Sequence, residues 1–137
     1  MALTTLAPMT PRWPVILFDL DGTLADTINL IVTSYQHAFR EVIGREWDEK
    51  EIKSWIGKSL IDAFRGALGD ELGEKAYVVY TKFNEENTER LIKGYEGVPE
   101  LLRDLVAAGV RIGVVTSKRR PPAEWAIRLC GLEIPLL

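Results

Sequence analysis

Two aspartates separated by one residue follow a short apolar run, in the segment VILFDLDGTLADT at residues 15–27. A turn accounts for Asp21, because Asp and Gly are common turn residues, but it leaves Asp19 unexplained. A carboxylate close to the buried end of a strand is costly unless it binds a cation or is otherwise paired. Two neighbouring carboxylates suit a divalent metal ion that also binds a phosphate, and oxygen ligands favour Mg²⁺.

This residue set can perform phosphoryl transfer. One carboxylate can attack phosphorus to form an aspartyl-phosphate. The other can protonate the leaving oxygen and then deprotonate the attacking water. A second polar pair, Thr116 and Ser117, ends the apolar run VRIGVV. A hydroxyl there can donate a hydrogen bond to a phosphoryl oxygen, as can the backbone N–H groups at the start of the next helix.

Buried strands separated by helices must position these groups. Continuous apolar residues predict a strand from Val15 to Phe18, buried on both faces, and a second buried strand from Val110 to Val115. Helical patterns predict the following elements: a helix capped by Asp26 or Thr27 and stopped by Gly44, helices at 48–56, 59–68 and 71–92, and helices from Pro99 to Ala108 and Pro122 to Leu129. This order predicts an α/β fold with a parallel sheet, whose carboxyl edge brings the two polar sites together.

The segment between the strands is too long for a loop. We therefore expect a core made of residues 1–26 and 94–137 and a separate helical unit at 27–93. In the helix at 71–92, we expect Leu72, Tyr77 or Val79, Tyr80, Phe83 and Leu91 to face inward.

Composition narrows the class of protein. The 137 residues are 47% hydrophobic and 27% charged with a net charge of −3, and no basic face suggests nucleic acid. No run reaches the ~20 apolar residues of a membrane span, and residues 1–10 look like a loose tail rather than a signal peptide. Cys130, the one cysteine, excludes an internal disulfide and fits a buried, inert thiol. These features predict a soluble, cytoplasmic protein.

The two motifs resemble those of a known superfamily. DLDGTLADT resembles motif I, D-x-D-G-T-[LV], of the haloacid dehalogenase superfamily, and VRIGVVTSK resembles its motif II. The segment YEGVPELLRDLVAAGVRIGVVTSK is similar to that of the phosphoglycolate phosphatase-like branch, and the helical insert is similar to the cap of that branch. The resemblance implies a Rossmann-like parallel sheet core with an inserted α-helical cap.

By position, the resemblance implies a role for each motif residue. Asp19 would be the nucleophile and a ligand of Mg²⁺. Asp21 would be the general acid and base, and its carbonyl would also bind the metal. Thr116 would bind phosphate with its hydroxyl, and Leu20 and Ser117 would contribute backbone donors. An aspartate at position 21 also argues for phosphoryl transfer, because dehalogenases of this superfamily lack one there.

In the family, two further motifs supply a lysine and additional acidic metal ligands. Neither motif has a match after Gly131. Of the acidic residues after position 117, Glu124 and Glu133 look like surface positions. Lys118 is a candidate for the missing lysine. The first strand is central in such folds, so Val15 to Phe18 would present an unpaired edge. We expect either a homodimer through that edge or a fragment of a longer product.

In similar proteins the turn between the second and third cap helices faces the active site. That turn is WIGKSL here, so Lys58 is a candidate contact for an anionic leaving group, with exposure at the surface as the alternative. Arg65 is a weaker candidate for the same contact with the leaving group. His37, the only histidine, is expected at the surface.

The resemblance implies a Mg²⁺-dependent phosphatase of small phosphorylated metabolites, similar to phosphoglycolate phosphatase and acting through an aspartyl-phosphate. Two alternatives stay open. One is a phosphotransferase of the β-phosphoglucomutase type, which uses the same two aspartates. The other is a catalytically incomplete member that only binds phosphate or metal.

Overall fold

The computed structural model of the protein describes residues 10–134, which fold into six helices and four short strands. The mixture of helices with a parallel strand pair confirms the predicted α/β class. The elements in chain order are β1 (Val15–Phe18), β2 (Ala25–Asp26), α1 (Ile28–Ile43), α2 (Glu49–Ser54), α3 (Leu60–Leu68), α4 (Asp70–Leu91), β3 (Lys93–Gly94), α5 (Val98–Ala107), β4 (Arg111–Val114) and α6 (Arg120–Leu129).

The sheet that positions the motifs consists of β1 and β4, which run parallel with Val15 opposite Arg111 and Phe18 opposite Val114. A further backbone bond joins Val115 N–H to Phe18 C=O at 2.8 Å. Because the strands are parallel and in this register, the residues that follow β1 and β4 leave the sheet at the same edge. This arrangement confirms the sequence-based expectation that the two polar segments meet.

The prediction that β1 is buried on both faces is wrong. Ile16 and Phe18 are half-buried on the face that packs toward α5 and α6, whereas Val15 and Leu17 on the opposite face are 50% and 64% exposed. Val115, expected in a buried strand, is 62% exposed. The cause is that no element within residues 10–134 covers that face or pairs with the outer edge of β1.

Helices α1 to α4, called the cap helices below, pack around an aromatic cluster. Tyr35 and Phe39 from α1 contact Phe64 from α3, with ring centroids 4.9 and 5.6 Å from Phe64. The apolar residues of α1 recur every three or four positions, and Gly44 ends the helix in the left-handed conformation at φ 71°. All four predicted helices of this segment are found, with ends within about two residues of those predicted.

The inward face of α4 differs in part from the prediction. Of the predicted set, Tyr80 is buried, and Tyr77 and Val79 are half-buried and pack against the buried cluster of the cap helices. The buried residues of the helix are Gly73, Ala76, Tyr80, Asn84 and Thr88. Asn84 is buried because its amide donates a hydrogen bond to Ser34 Oγ on α1 at 3.2 Å. Because polar side chains with partners can be buried, apolarity alone misidentified the face. The expected surface position of His37 is also wrong in part, since its ring is half-buried and stacks on Phe83 at 4.3 Å.

Two antiparallel strands of two residues each, β2 and β3, pair where the chain enters and leaves the cap helices. The sequence did not predict this pair, because two residues are too few to show a period. The buried apolar side chains form two clusters, one among the cap helices and one around α5, α6 and the β1–β4 sheet. The expected loose tail lies outside the described residues, apart from Thr10.

Cys130 is half-buried after α6, with Sγ 3.7 Å from the Lys93 carbonyl oxygen, rather than fully buried as expected. Burial raises the pKa of this thiol, and the charge of Asp26 raises it further, so an unreactive thiol is consistent with the structure. Among the described residues, no helix is both long enough and apolar enough to cross a membrane.

Candidate active site

A tight turn follows β1 and contains the two aspartates of the motif at its start. The carbonyl oxygen of the fully buried Leu20 accepts hydrogen bonds from the N–H groups of Thr23, Leu24 and Ala25 at 3.0–3.1 Å. Gly22 adopts φ 79°, a conformation that other residues rarely adopt, which explains the glycine of the motif. Because these hydrogen bonds and its burial fix the backbone of Leu20, the positions of the neighbouring Asp19 and Asp21 are fixed as well.

Asp19 is exposed rather than close to a buried strand end as expected. Its Oδ1 accepts a hydrogen bond from the Leu20 N–H at 2.8 Å, and no other described residue donates to this carboxylate. The second oxygen, Oδ2, is therefore open to solvent and to an incoming ligand. The Leu20 N–H, expected to bind phosphate, is bonded to Asp19 in this structure.

Asp21 is held by two donors. Its Oδ1 accepts a hydrogen bond from Thr27 Oγ1 at 2.7 Å and forms an ion pair with Lys118 Nζ at 3.3 Å. The Asp21 and Lys118 side chains are both largely buried, at 13% and 14% exposed. Thr27 is the N-cap residue of α1, one of the two predicted, but its hydroxyl bonds to Asp21 and not to a backbone N–H of the helix. The sequence offered Lys118 only as one candidate, and the structure places it against the second aspartate.

Replacing Thr27 with valine is expected to lower the free energy of unfolding by about 1–2 kcal/mol, because a fully buried hydroxyl loses a hydrogen bond to a carboxylate while volume is kept. Denaturant unfolding measures the change. Thr33→Val, on the same helix but with only a long, exposed bond to Asn29, is the matched control and should change stability by less than about 0.5 kcal/mol. Equal losses in the two variants would contradict the assignment.

The end of β4 contacts the turn between α2 and α3, called the cap turn below (residues 55–60). The Ser117 hydroxyl donates a hydrogen bond to the Lys58 carbonyl oxygen at 3.3 Å. Thr116 Oγ1 accepts a bond from the Lys118 N–H at 3.1 Å, which leaves its own proton available to a ligand. This contact brings the cap turn to the carboxyl edge of the sheet, while the Lys58 side chain is exposed there.

A cavity of about 290 Å³ lies between the cap helices and this edge. Asp21, Lys58, Ser117, Lys118 and Arg119 line it. Its other wall includes an aromatic set contributed by the cap helices and the cap turn: Tyr35, Trp55, Tyr77 and Tyr80. Asp19 and Thr116 are not among the described lining residues, so the structure brings together only part of the predicted site. Glu85 also lines the cavity, so its three cations stand against two carboxylates, and this balance favours an anionic ligand.

Arg65 does not contribute to this cavity. Its guanidinium pairs with Glu74 at 2.7 Å on the exposed side of the cap helices. Glu124 and Glu133 are paired with Arg120 and Arg103 at 2.6 and 3.8 Å, and neither lines the cavity. Glu133 is exposed as expected, whereas Glu124 is half-buried.

The donor set for a divalent metal is small. Within residues 10–134 no three acidic, histidine or cysteine side chains are grouped as metal ligands. The exposed Asp19 carboxylate and the Asp21 carbonyl oxygen are the donors available, since the Asp21 carboxylate is engaged by Thr27 and Lys118. Mg²⁺ commonly binds through one or two carboxylates together with substrate phosphate and water, so this set fits that ion.

Sequence reasoning expected a contribution of the cap only from the turn at Lys58, and it missed Thr27 and the tyrosines of the cap helices. Thr27 bonds to a carboxylate six residues earlier, and the tyrosines on α1 and α4 reach the cavity only through helix packing. Helical spacing identifies such tyrosines as inward-facing, but it does not distinguish a core position from a cavity wall.

Comparisons with known proteins agree with this geometry. Residues 16–135 match the model of a family described as haloacid dehalogenase-like hydrolase. The pyrophosphatase PpaX of Bacillus pumilus is 37% identical over 118 residues, which cover 86% of this chain and 54% of that relative. The chain thus spans about half the length of such relatives.

Two solved structures share the fold. Protein Tyrosine Kinase A of Mycobacterium tuberculosis superposes with a TM-score of 0.73 and 31% identity, covering 88% of this chain and 57% of that one. A haloacid dehalogenase-like family hydrolase from Streptococcus pneumoniae gives a TM-score of 0.78 at 23% identity, covering 87% and 56%. The family match extends over most of the chain and includes both aspartates and the end of β4. The chain belongs to the haloacid dehalogenase-like hydrolase family.

Proposed function

We propose that the protein is a Mg²⁺-dependent phosphohydrolase of small phosphorylated metabolites that acts through an aspartyl-phosphate. The observation that carries the proposal is Asp21 paired with Lys118 at the cavity, two residues after the open carboxylate of Asp19. The pyrophosphatase name of the relatives supports a diphosphate as one substrate. Phosphoglycolate is the second substrate that we propose, from the resemblance of the motif segments.

In the first step, Asp19 Oδ2 attacks phosphorus, and the bond between phosphorus and the leaving oxygen breaks. Asp21, protonated at the oxygen not held by Thr27, transfers its proton to that leaving oxygen. The products of this step are the aspartyl-phosphate and the leaving alcohol, or a phosphate where the substrate is a diphosphate.

In the second step, the ionised Asp21 removes a proton from water, the water oxygen attacks phosphorus, and Asp19 is released as a carboxylate. Lys118 and Thr27 hold the Asp21 carboxylate in position for this step. Thr116 and the Ser117 backbone are the proposed donors to the phosphoryl oxygens. Mg²⁺, held by Asp19 and the Asp21 carbonyl, would neutralise charge on the phosphoryl group.

The test is phosphate release from diphosphate, phosphoglycolate and an aryl phosphate, with Mg²⁺ and after its removal by a chelator. We expect release that stops on chelation and returns when Mg²⁺ is added back. A folded chain that releases no phosphate from any of the three would contradict the proposal. That result would support the alternative function, a catalytically incomplete family member that only binds phosphate or metal. The small set of acidic ligands among the described residues also favours this alternative.

A phosphotransferase is the second candidate. It is supported by the 31% identity to a protein named as a kinase, because that name implies transfer of a phosphoryl group to an acceptor other than water. Addition of a sugar phosphate or a tyrosine peptide to the assay distinguishes the two, since a transferase would phosphorylate the acceptor at the expense of free phosphate.

Replacing Lys118 with glutamine is expected to lower kcat/KM by about tenfold to a hundredfold, because Asp21 and the substrate phosphate lose a partly buried cation. Steady-state kinetics measure the loss. Lys75→Gln is a matched control, since Lys75 is exposed and only 3.8 Å from Glu71 on α4, and it should leave kcat/KM unchanged. An unaffected Lys118→Gln variant would exclude Lys118 as a substitute for the family's later lysine.

We propose the domain division predicted from the sequence, with residues 1–26 and 94–137 as core and 27–93 as cap. Two separate apolar clusters support it.

We also propose that a second copy of the chain pairs with the outer edge of β1, where Val15 and Leu17 are exposed. Sedimentation should then show a dimer that Leu17→Lys converts to monomer, and a stable monomer of the unaltered chain would contradict it.

A further inference from the structure

Two buried tyrosines meet at the cavity wall. Tyr35 on α1 and Tyr80 on α4 are 2% and 6% exposed, their ring centroids are 5.0 Å apart, and both line the cavity that contains Asp21. Phe64 packs against both rings, at 4.9 and 5.8 Å. The aromatic cluster therefore fixes the positions of the two phenol groups.

Neither phenol oxygen has a hydrogen-bond partner among residues 10–134, although buried polar groups in proteins almost always have one. The only fully buried side-chain polar atom without a partner in the described chain is Trp47 Nε1. The two phenol oxygens must therefore keep some accessible surface, and the cavity is the free space that both side chains line. Phenylalanine would fill the same cluster without a donor, so the two hydroxyls make donors available to an acceptor that enters the cavity.

The chemistry of that acceptor follows from the charges around it. Burial raises the pKa of both phenols, and the nearby Tyr35 and the negative charge of Asp21 raise that of Tyr80 further, so both remain hydrogen-bond donors at neutral pH. Tyr80 and Asp21, the proposed proton donor to the leaving group, line the same cavity. Lys58 adds a cation to the same cavity, whose three cationic residues outnumber its two carboxylates, Asp21 and Glu85. Two donors and a cation together favour an oxygen acceptor that is negatively charged.

We propose that Tyr35 and Tyr80 donate hydrogen bonds to an oxyanion on the leaving group, a carboxylate or a second phosphate, with Lys58 as its counter-ion. The inference rests on the proposed function, because Asp21 defines which part of the substrate leaves. It assigns the cavity to substrates with two anionic ends, such as diphosphate and phosphoglycolate. Simple alkyl or aryl phosphates would leave the tyrosines without acceptors.

The first experiment compares kcat/KM for diphosphate, phosphoglycolate and phenyl phosphate in Tyr35→Phe, Tyr80→Phe and the double variant. We expect the ratio of the doubly anionic substrate to phenyl phosphate to fall about tenfold for each tyrosine. The substrate with the larger fall identifies the oxyanion as carboxylate or phosphate. Tyr95→Phe, a half-buried tyrosine outside the cavity, should leave the ratio unchanged. An unchanged ratio in the double variant, or an equal loss for all three substrates, would overturn the proposal.

A second experiment needs no turnover. Calorimetry measures binding of phosphonoacetate, which has a phosphonate and a carboxylate, against methylphosphonate, which has only the phosphonate. We expect the preference for phosphonoacetate to fall by about tenfold or more in the double variant. If the unaltered chain releases no phosphate but the double variant loses the preference for phosphonoacetate, the proposed subsite is supported and the proposed function is contradicted. If the unaltered chain releases phosphate and the double variant keeps the preference, the proposed function is supported and the proposed subsite is contradicted.

Discussion

Asp19→Asn is expected to lower the rate of phosphate release by on the order of 10⁴-fold, because an amide oxygen or nitrogen does not replace a carboxylate as nucleophile toward phosphorus. The variant should fold normally. Asp19 is exposed, and its one described hydrogen bond, from the Leu20 N–H, can be accepted equally by the amide oxygen of asparagine. The measurement is steady-state release of phosphate, together with a melting curve.

The matched control is Asp104→Asn, an exposed aspartate on α5 that does not line the cavity. Its activity should equal that of the unaltered chain. Phosphate release that persists at full rate in Asp19→Asn would mean that the activity comes from another protein in the preparation, or that another group is the nucleophile. Loss in both variants would point to a general effect of charge instead of a role at position 19.

The part of the site that could be predicted from sequence is local along the chain. The turn at Asp19 to Thr23 depends on the positive φ of Gly22 and on hydrogen bonds within six residues, so the motif contains the information that forms it. The meeting of the two strand ends was also predictable, because parallel strands separated by helices place their carboxyl ends at one edge. Lys118 could be proposed for the same reason, since it follows the second strand end directly.

The remaining features depend on contacts between distant segments. A continuous apolar run indicates a strand but does not report which faces are covered, and Leu17 is exposed although its run is wholly apolar. Asn84 is buried because Ser34, fifty residues earlier, provides a partner. Tyr35 and Tyr80 reach the cavity through the packing of α1 on α4, which no period in either helix specifies. The sequence indicated the cap turn at Lys58, but the tyrosine wall of the cavity depends on this packing and could not be predicted.

Asp21→Asn is expected to act differently on substrates with good and poor leaving groups. For phosphoglycolate, whose leaving alkoxide needs a proton, kcat/KM should fall by roughly 10²- to 10⁴-fold. For 4-nitrophenyl phosphate the first step should fall far less, because nitrophenolate leaves without protonation. Asparagine keeps an oxygen that can accept from Thr27 and Lys118, so the geometry of the pair should be preserved. Asp26→Asn, a half-buried aspartate on β2 that does not line the cavity, is the control and should affect neither substrate.

The same variant also tests the second step. Without a base to activate water, hydrolysis of the aspartyl-phosphate slows, while its formation from 4-nitrophenyl phosphate continues. Intact mass spectrometry should then detect one covalent phosphate on Asp21→Asn, located at Asp19, and none on the double variant that also contains Asp19→Asn. Equal losses for both substrates with no covalent phosphate would mean that Asp21 acts through the charge of its carboxylate and not as an acid and base. The pair with Lys118 would then stabilise the ionised carboxylate in every step, and proton transfer would have to be assigned to another group.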